Sequence, residues 1–301
     1  MSEVQNQAAP GSPQVTLCLA VYQSERFLEA TLASIAAQSF PHFRCVISDD
    51  ASNDRTVSIC RQAAQADARF EVLENTTRLG WIGNVNRTLE RVGGEFFMIA
   101  SHDDVLEKTY LESLWAAMQS RPKAAVAYSD LRVVRANLPD IVVSYTRLDR
   151  CATAFQRAAG VISQEGRWWI PYRGLVRGSL LPEPPRLHRN RAGEFSADLP
   201  WVLSLALAGE LVRVPGPLLV KFKKPGSVSA LWAFRLREHA AALESCAGLV
   251  WRSSLPSIQR ASLLLLVLLR LARKTSWDAW KWLRKITSGG AANSHDEHRS
   301  G

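Results

Sequence analysis

The feature that most limits the fold is an alternation, over roughly the first 130 residues, of short apolar runs with amphipathic stretches. VTLCLAVY (15–22), FRCVIS (43–48), FEVLE (70–74), EFFMIA (95–100) and AAVAYSDLRVV (124–134) read as buried strands. Between them, Phe27, Leu28, Thr31, Leu32 and Ile35 share one helical face, and 56–66, 81–92 and 110–120 carry the same period. Parallel strands need long crossovers, which helices of this length supply. The expected fold class is therefore α/β: a Rossmann-like, mostly parallel mixed sheet with helices on both faces.

Past residue 150 the alternation breaks. Residues 151–195 hold Trp168, Trp169, Pro171, Tyr172, many arginines and the run PEPPRLHRNR, which predicts a loop-rich, partly mobile segment. ADLPWVLSLALAG (197–209) is a helix ending on glycine. ELVRVPGPLLVKF (210–222) reads as a strand, a turn and a second strand. From residue 230 the pattern is helical, and it dissolves into polar residues from Ser288 onward. The expected division is a disordered start (1–13), a main domain (14–230, split near 130), a helical basic extension (231–287) and a disordered tail (288–301).

With 47% hydrophobic and 22% charged residues, the 301-residue chain has enough apolar mass for a real core, which excludes collagenous and wholly disordered classes. A net charge of +9 invites an anionic partner. Cys18, Cys45, Cys60, Cys151 and Cys246 are scattered, with no CxxC pair, which speaks against a zinc cluster or a disulfide framework. No basic, then apolar, leader opens the chain, and the run at 261–272 is broken by Arg270 and far shorter than the roughly 20 residues of a membrane span. The expectation is a cytoplasmic protein.

Ligands bind at the carboxyl ends of strands in such sheets. Two acidic pairs fall there: Asp49 and Asp50 after the second strand, and Asp103 and Asp104, in SHDD, after the fourth. Paired carboxylates repel unless a cation or donor hydrogens compensate them, and hard oxygens suit magnesium or manganese bridging a diphosphate. DD pairs also occur as plain turns and helix caps. No GxGxxG, P-loop, GxSxG or HExxH appears, so hydride transfer, P-loop hydrolysis and serine or zinc hydrolysis have no support.

The block TLCLAVYQSERFLEATLASIAAQSFPHFRCVISDDASNDRT, followed by GGEFFMIASHDDVLEKTYLESL and GEFSADLPWVLSLALAGELVRVPGPLLVKFKKPGSVS, resembles the family 2 glycosyltransferases with the GT-A fold. What the resemblance implies is an inverting transfer of a sugar from a nucleoside-diphosphate sugar, uridine or thymidine type, to a hydroxyl of a glycan or lipid-linked acceptor, in cell-surface polysaccharide or lipopolysaccharide assembly. By the same likeness Asp50, with Asp49, receives the base, and Tyr22 lies against the nucleotide. Asp103 and Asp104 hold the ribose and a divalent metal, Mn2+ or Mg2+, and Asp198 is the catalytic base. Arg78 is either a diphosphate contact or an exposed charge; Trp168, Trp169 and Tyr172 line the acceptor or fill the core; Glu194 is an acceptor-side acid and the next candidate base. Ser101 replaces the first acid of the family's usual motif, and Lys224 stands where many members have histidine.

Residues 255–287 hold seven basic side chains against Asp278 alone, with Trp277, Trp280 and Trp282 among them. Such a helix suits the surface of an anionic membrane, or packs on the domain with its charges solvated. A nucleic-acid partner is not expected, since no recognition motif accompanies the charge. A nucleotidyltransferase lacks its Gly-rich basic loop here, and a non-catalytic relative acting as a subunit of a glycan-assembly complex is the alternative to an enzyme.

Overall fold

The computed structural model describes residues 13–135, 137–163, 169–223 and 235–289, without the side chains of 149, 150 and 277–289. Trp168, Lys224, the GSVS segment and the side chains of Trp277, Trp280 and Trp282 lie outside the described residues.

The alternation becomes the expected parallel half-sheet. Strands β1 (Val15–Val21), β2 (Phe43–Asp49), β3 (Phe70–Glu74) and β4 (Phe96–Ser101) pair in parallel. Helices α1 (Leu28–Ala36), α2 (Thr56–Ala66) and α3 (Gly80–Leu89) provide the crossovers. Leu17, Cys18, Leu19, Cys45, Val46 and Ile47 are all fully buried, so these strands show continuous apolar runs because both sheet faces are covered.

The second half adds β5 (Asp104–Leu106), α4 (Tyr110–Ser120), β6 (Ala124–Arg135), β7 (Leu138–Val143), α5 (Ala154–Ser163), β8 (Leu175–Arg177), α6 (Asp198–Ala208) and β9 (Glu210–Lys223). The sheet order is β3-β2-β1-β4-β8-β6-β9-β5, with β7 paired to β6. The fold is the mixed α/β architecture expected, with antiparallel β4–β8, β6–β8, β5–β9 and β6–β7 contacts. Helices α7 (Leu236–Arg252) and α8 (Ser257–Gly289) follow.

Two expectations are corrected. Residues 210–223 form one strand rather than two: Pro215 and Pro217 remove backbone donors, and β9 keeps its parallel partner β6 through a register shift between Ser129 and Leu131. Gly216 takes φ +115° there and donates its N–H to Asp130 (3.0 Å), which also grips Arg213 with both oxygens (2.7 and 2.6 Å). Second, the described part of 151–195 is packed rather than loose. Helix α5 buries Ala158, Val161 and Ile162, while Ile170, Leu175, Val176 and Leu187 join the same core. The arginine content misled because several arginines point inward. Arg157 donates to the Ala206 carbonyl at the end of α6 (3.0 Å), and Arg177 donates to the Met118 carbonyl (2.7 Å) and pairs with Glu95. Each donates to a carbonyl in the last turn of a helix, where acceptors outnumber the helix's own donors.

Candidate functional site

Strand register assembles the site. Val21 is opposite Asp49, and Ala20 is opposite Ser101, so the carboxyl ends of β2, β1 and β4 lie side by side. At about 4.8 Å between neighbouring strands, the two acidic segments stand about 10 Å apart, with the Tyr22 turn between them.

Helix α1 and Gln38, two residues past its end, hold the acidic segment in place through buried polar side chains. The Thr31 hydroxyl donates to the His102 carbonyl (3.0 Å), the Ser34 hydroxyl accepts the Leu106 N–H (3.1 Å), and Gln38 donates to the Glu107 carbonyl (2.9 Å) and accepts the Leu111 N–H (2.9 Å). The spacing of Thr31 and Ser34 sets these two on one helical stripe.

Around Tyr22 three candidate residues come together. The Arg78 guanidinium lies 4.0 Å from the centre of the Tyr22 ring, and its Nε is 3.9 Å from Asp50. This is a cation–π contact joined to an ion pair. Asp50 accepts the N–H groups of Leu79 (2.6 Å) and Gly80 (3.0 Å). Glu194 accepts those of Trp81 (3.2 Å) and Ile82 (3.0 Å). Two carboxylates thus take four free N–H groups at the start of α3, where negative charge is favoured. Gly80 is required: it sits at φ +79°, and a Cβ there would fall 2.7 Å from a Glu194 oxygen. Asp49 accepts the Ser52 N–H with one oxygen (2.9 Å), and its other oxygen is buried with no hydrogen-bond partner among the described residues.

Sequence reasoning missed the network beneath. Buried Asn84 donates to the carbonyls of Val21 (3.1 Å) and Ser48 (2.8 Å), tying α3 to the ends of β1 and β2, and Asn75 donates to Asn84 (3.0 Å). The signal was legible: Asn84 sits between Ile82 and Val85 on the apolar face of WIGNVNRTL. Three of the four non-glycine residues with left-handed φ among the described residues, Gln23, Ala51 and Ser196, lie in loops beside candidate site residues. Strain of about 1–3 kcal/mol each persists only where the surroundings enforce it.

The acidic motif divides. Asp104, on β5, is buried against Arg173, with Lys221 3.9 Å away. Burial alone would depress the Arg173 guanidinium, but the charge and hydrogen bond of Asp104 hold it above its ordinary value. Arg173 also donates to the Trp169 carbonyl (3.0 Å) and accepts the Tyr110 hydroxyl through its own carbonyl (2.8 Å). An adjoining cavity of about 10 Å³ has room for a single water and none for a hydrated ion. Among the described residues no group of three His, Cys, Asp or Glu side chains could hold a metal. A divalent ion here would take Asp103 as its protein carboxylate and its remaining oxygens from a ligand, since Mg2+ is commonly held by one or two carboxylates plus substrate phosphates.

Of the residues expected on the acceptor side, Asp198 is the first residue of α6. Tyr172 is buried in the core with its ring 6.2 Å from that of Trp81, and Trp169 is half-buried. Burial first, and then the nearby charge of Asp198, push the Tyr172 phenol well up. The ring contact sets Trp81 of α3 beside Tyr172.

Residues 16–141 match the model of glycosyl transferase family 2. The teichuronic acid biosynthesis glycosyltransferase TuaG of Bacillus subtilis, itself named as putative, is 31% identical over 109 residues, 36% of this chain and 43% of TuaG. The chain spans 30–43% of the length of several such curated relatives. Among solved structures, Staphylococcus aureus TarS 1–349 in complex with UDP-GlcNAc superposes with TM-score 0.68 at 18% identity, covering 85% of this chain and 72% of that one. The mannosyltransferase PcManGT of Pyrobaculum calidifontis, in complex with GDP-Man and Mn2+, gives 0.53 at 17% identity over 95% and 81%. These structural likenesses carry the fold.

Proposed function

We propose that this chain, whose residues 16–141 match glycosyl transferase family 2, is an inverting glycosyltransferase that uses a nucleoside-diphosphate sugar. The observation that carries the reading is the register of β2, β1 and β4, which lines up Asp49, Tyr22 and the SHDD segment at one sheet edge. Tyr22 and Arg78 form a cationic, aromatic wall suited to a nucleotide, and the buried unpartnered oxygen of Asp49 is an acceptor for the imide hydrogen of a uracil or thymine base. Uridine or thymidine donors follow from that acceptor chemistry.

Asp103 would hold a divalent ion, Mn2+ or Mg2+, together with the donor's diphosphate. When bound, such an ion supplies Lewis-acid stabilisation of the charge on the leaving phosphate. Arg173 compensates Asp104, so Asp104 positions the motif. Asp198 takes the proton from the acceptor hydroxyl as its oxygen attacks the anomeric carbon; the bond from that carbon to the diphosphate breaks, and the configuration inverts. Trp169 and Tyr172 shape the acceptor side, with Tyr172 acting from within the core, and Glu194 fastens that side to α3.

The acceptor class we infer is a glycan or lipid-linked hydroxyl in cell-surface polysaccharide assembly, in keeping with the name of TuaG. Helix α8 supports a membrane-surface location. Ile258, Leu265, Leu268 and Leu269 are exposed along one stripe, 56–78% each, while Leu263 and Val267 on the opposite side are buried. No helix among the described residues is long and apolar enough to cross a membrane. A large exposed apolar stripe beside basic residues is the pattern of a helix lying in an anionic interface. We place the protein on the cytoplasmic face of the membrane, held reversibly by 255–287, without a nucleic-acid partner.

The test is release of nucleoside diphosphate from a panel of sugar nucleotides, with and without manganese. Turnover of one donor, raised by manganese and abolished in Asp198→Asn, is expected. Donor binding without turnover on any acceptor would favour the non-catalytic subunit.

A further inference from the structure

A cleft of about 270 Å³ lies beside α3, where Leu73 of the sheet-edge strand β3 forms part of its wall. In the sheet order β3 is three places from β4, so this cleft is separate from the acidic motif. Arg87 on α3, Arg91 just beyond it and Arg186 line it, together with Leu79 and the single carboxylate Glu90.

The walls are fixed. Buried Asn86 donates to the Leu187 carbonyl (2.9 Å) and accepts the Leu187 N–H (2.8 Å), which clamps the backbone next to Arg186 onto the helix. Arg189 donates to the Leu79 carbonyl (2.7 Å) and fastens the same segment one turn nearer the nucleotide side. Arg91 has Glu71 at 3.9 Å, whereas Arg87 and Arg186 make no ion pair with any described residue. Leu79 also bonds Asp50, and its neighbour Arg78 covers Tyr22, so the cleft begins where the nucleotide wall ends. Arg87 and Arg91 stand about one helical turn apart, roughly 6 Å, and Arg186 adjoins the Leu187 backbone that Asn86 holds. Three guanidinium groups lining one cleft, two of them without an ion pair among the described residues, suit a ligand that carries more than one oxyanion. Guanidinium forks bind phosphate and carboxylate with two parallel hydrogen bonds.

We propose that this cleft binds the anionic part of the acceptor, a glycan bearing phosphate or carboxylate groups along its chain. The inference rests on the transferase reading. The cleft lies on the nucleotide side of α3, so it grips the acceptor at a distance from the reacting hydroxyl. Such remote binding lowers the KM for a charged acceptor and leaves kcat little changed.

The full chain is titrated by calorimetry with an oligogalacturonate (carboxylates) and with inorganic tripolyphosphate (phosphates), with UDP saturating the donor pocket. The same titrations are made on Arg87→Gln/Arg186→Gln, in which both changed side chains reach solvent. Saturable binding of at least one probe is expected, weakened about tenfold or more in the double variant, a loss of about 1.4 kcal/mol per tenfold. The probe that binds tells phosphate from carboxylate polymers. Either of two outcomes overturns the cleft: neither probe binds, or the variant binds as the wild type does. Arginine-dependent binding to phosphatidylglycerol vesicles with no binding of either probe also overturns it, in favour of a lipid surface. UDP titrated alone reads the donor pocket separately. A wild-type chain that ignores UDP breaks the transferase reading and the acceptor assignment with it, whereas unaltered probe binding by the double variant breaks the cleft alone.

Discussion

The parallel half of the sheet and helix α8 depart from the ordinary distribution of polar and apolar residues in opposite directions. In the first, polar side chains are inside: Thr31, Ser34, Gln38, Asn75 and Asn84 are buried, and each is hydrogen-bonded. In the second, apolar side chains are outside: Ile258, Leu265, Leu268 and Leu269 face solvent while Leu263 and Val267 fill the contact with the rest of the chain. A buried polar group persists only if satisfied, and then it fixes geometry; an exposed apolar stripe persists at little cost to folding, and then it marks a surface to be covered. The contrast teaches that the two regions answer to different demands, rigid placement of strand-end acids in one and, on the reading proposed above, adhesion in the other.

The comparison breaks most visibly at the base. Asp198→Asn is expected to lower turnover by roughly 10²–10⁴ with donor affinity unchanged, measured as nucleoside diphosphate release beside a UDP titration. Near-normal turnover in a folded variant would move the base elsewhere.

The two acids of SHDD sharpen it next. Asp104→Asn leaves Arg173 buried without its counter-charge, which costs about 3–5 kcal/mol and lowers the thermal midpoint. Asp103→Asn lowers that midpoint less, since Asp103 acts on Arg173 through its charge and not through a hydrogen bond, and it loses Mn2+ affinity in the presence of UDP, read by calorimetry. Equal effects of both substitutions on stability and on metal would erase the division drawn between them.

On α8 the two faces are set against each other. Leu263→Ala removes a buried side chain and is expected to cost about 2–5 kcal/mol in urea unfolding. Leu265→Ser/Leu269→Ser should stay within about 0.5 kcal/mol per site yet release the protein from phosphatidylglycerol vesicles in sedimentation. Retention on vesicles by the second variant would leave the stripe without the role given to it.

The smallest effect concerns acid. Burial raises the Asp130 carboxyl, but the Arg213 fork and the Gly216 N–H outweigh it and hold the group below its ordinary value. A depressed folded value means stability present above the unfolded value of about 3.9 and lost as pH falls through the folded one. Asp130→Asn should therefore flatten the fall of the urea midpoint below about pH 4, with little slope change near neutrality.

What the sequence determined by itself was whatever repeats locally. Strands β1 to β4 follow from short continuous apolar runs, and helices α1, α2 and α4 from a period of 3.6, that a few consecutive residues express, and the acids Asp49, Asp50, Asp103 and Asp104 are visible at strand ends for the same reason. The three-residue strands β5 and β8 are too short to show a period, and their pairing with β9, β4 and β6 comes from the sheet. Helix α5 carried a period that Arg157 obscured, because a guanidinium reads as surface until a carbonyl such as that of Ala206 is brought to it. Only the tertiary structure decided that Asp104 faces Arg173, 69 residues away, and that Glu194 caps a helix more than 110 residues before it. A charge in sequence has no partner until the chain closes on itself; burial then leaves it no water to pair with, and the partner that folding supplies sets what that carboxylate does.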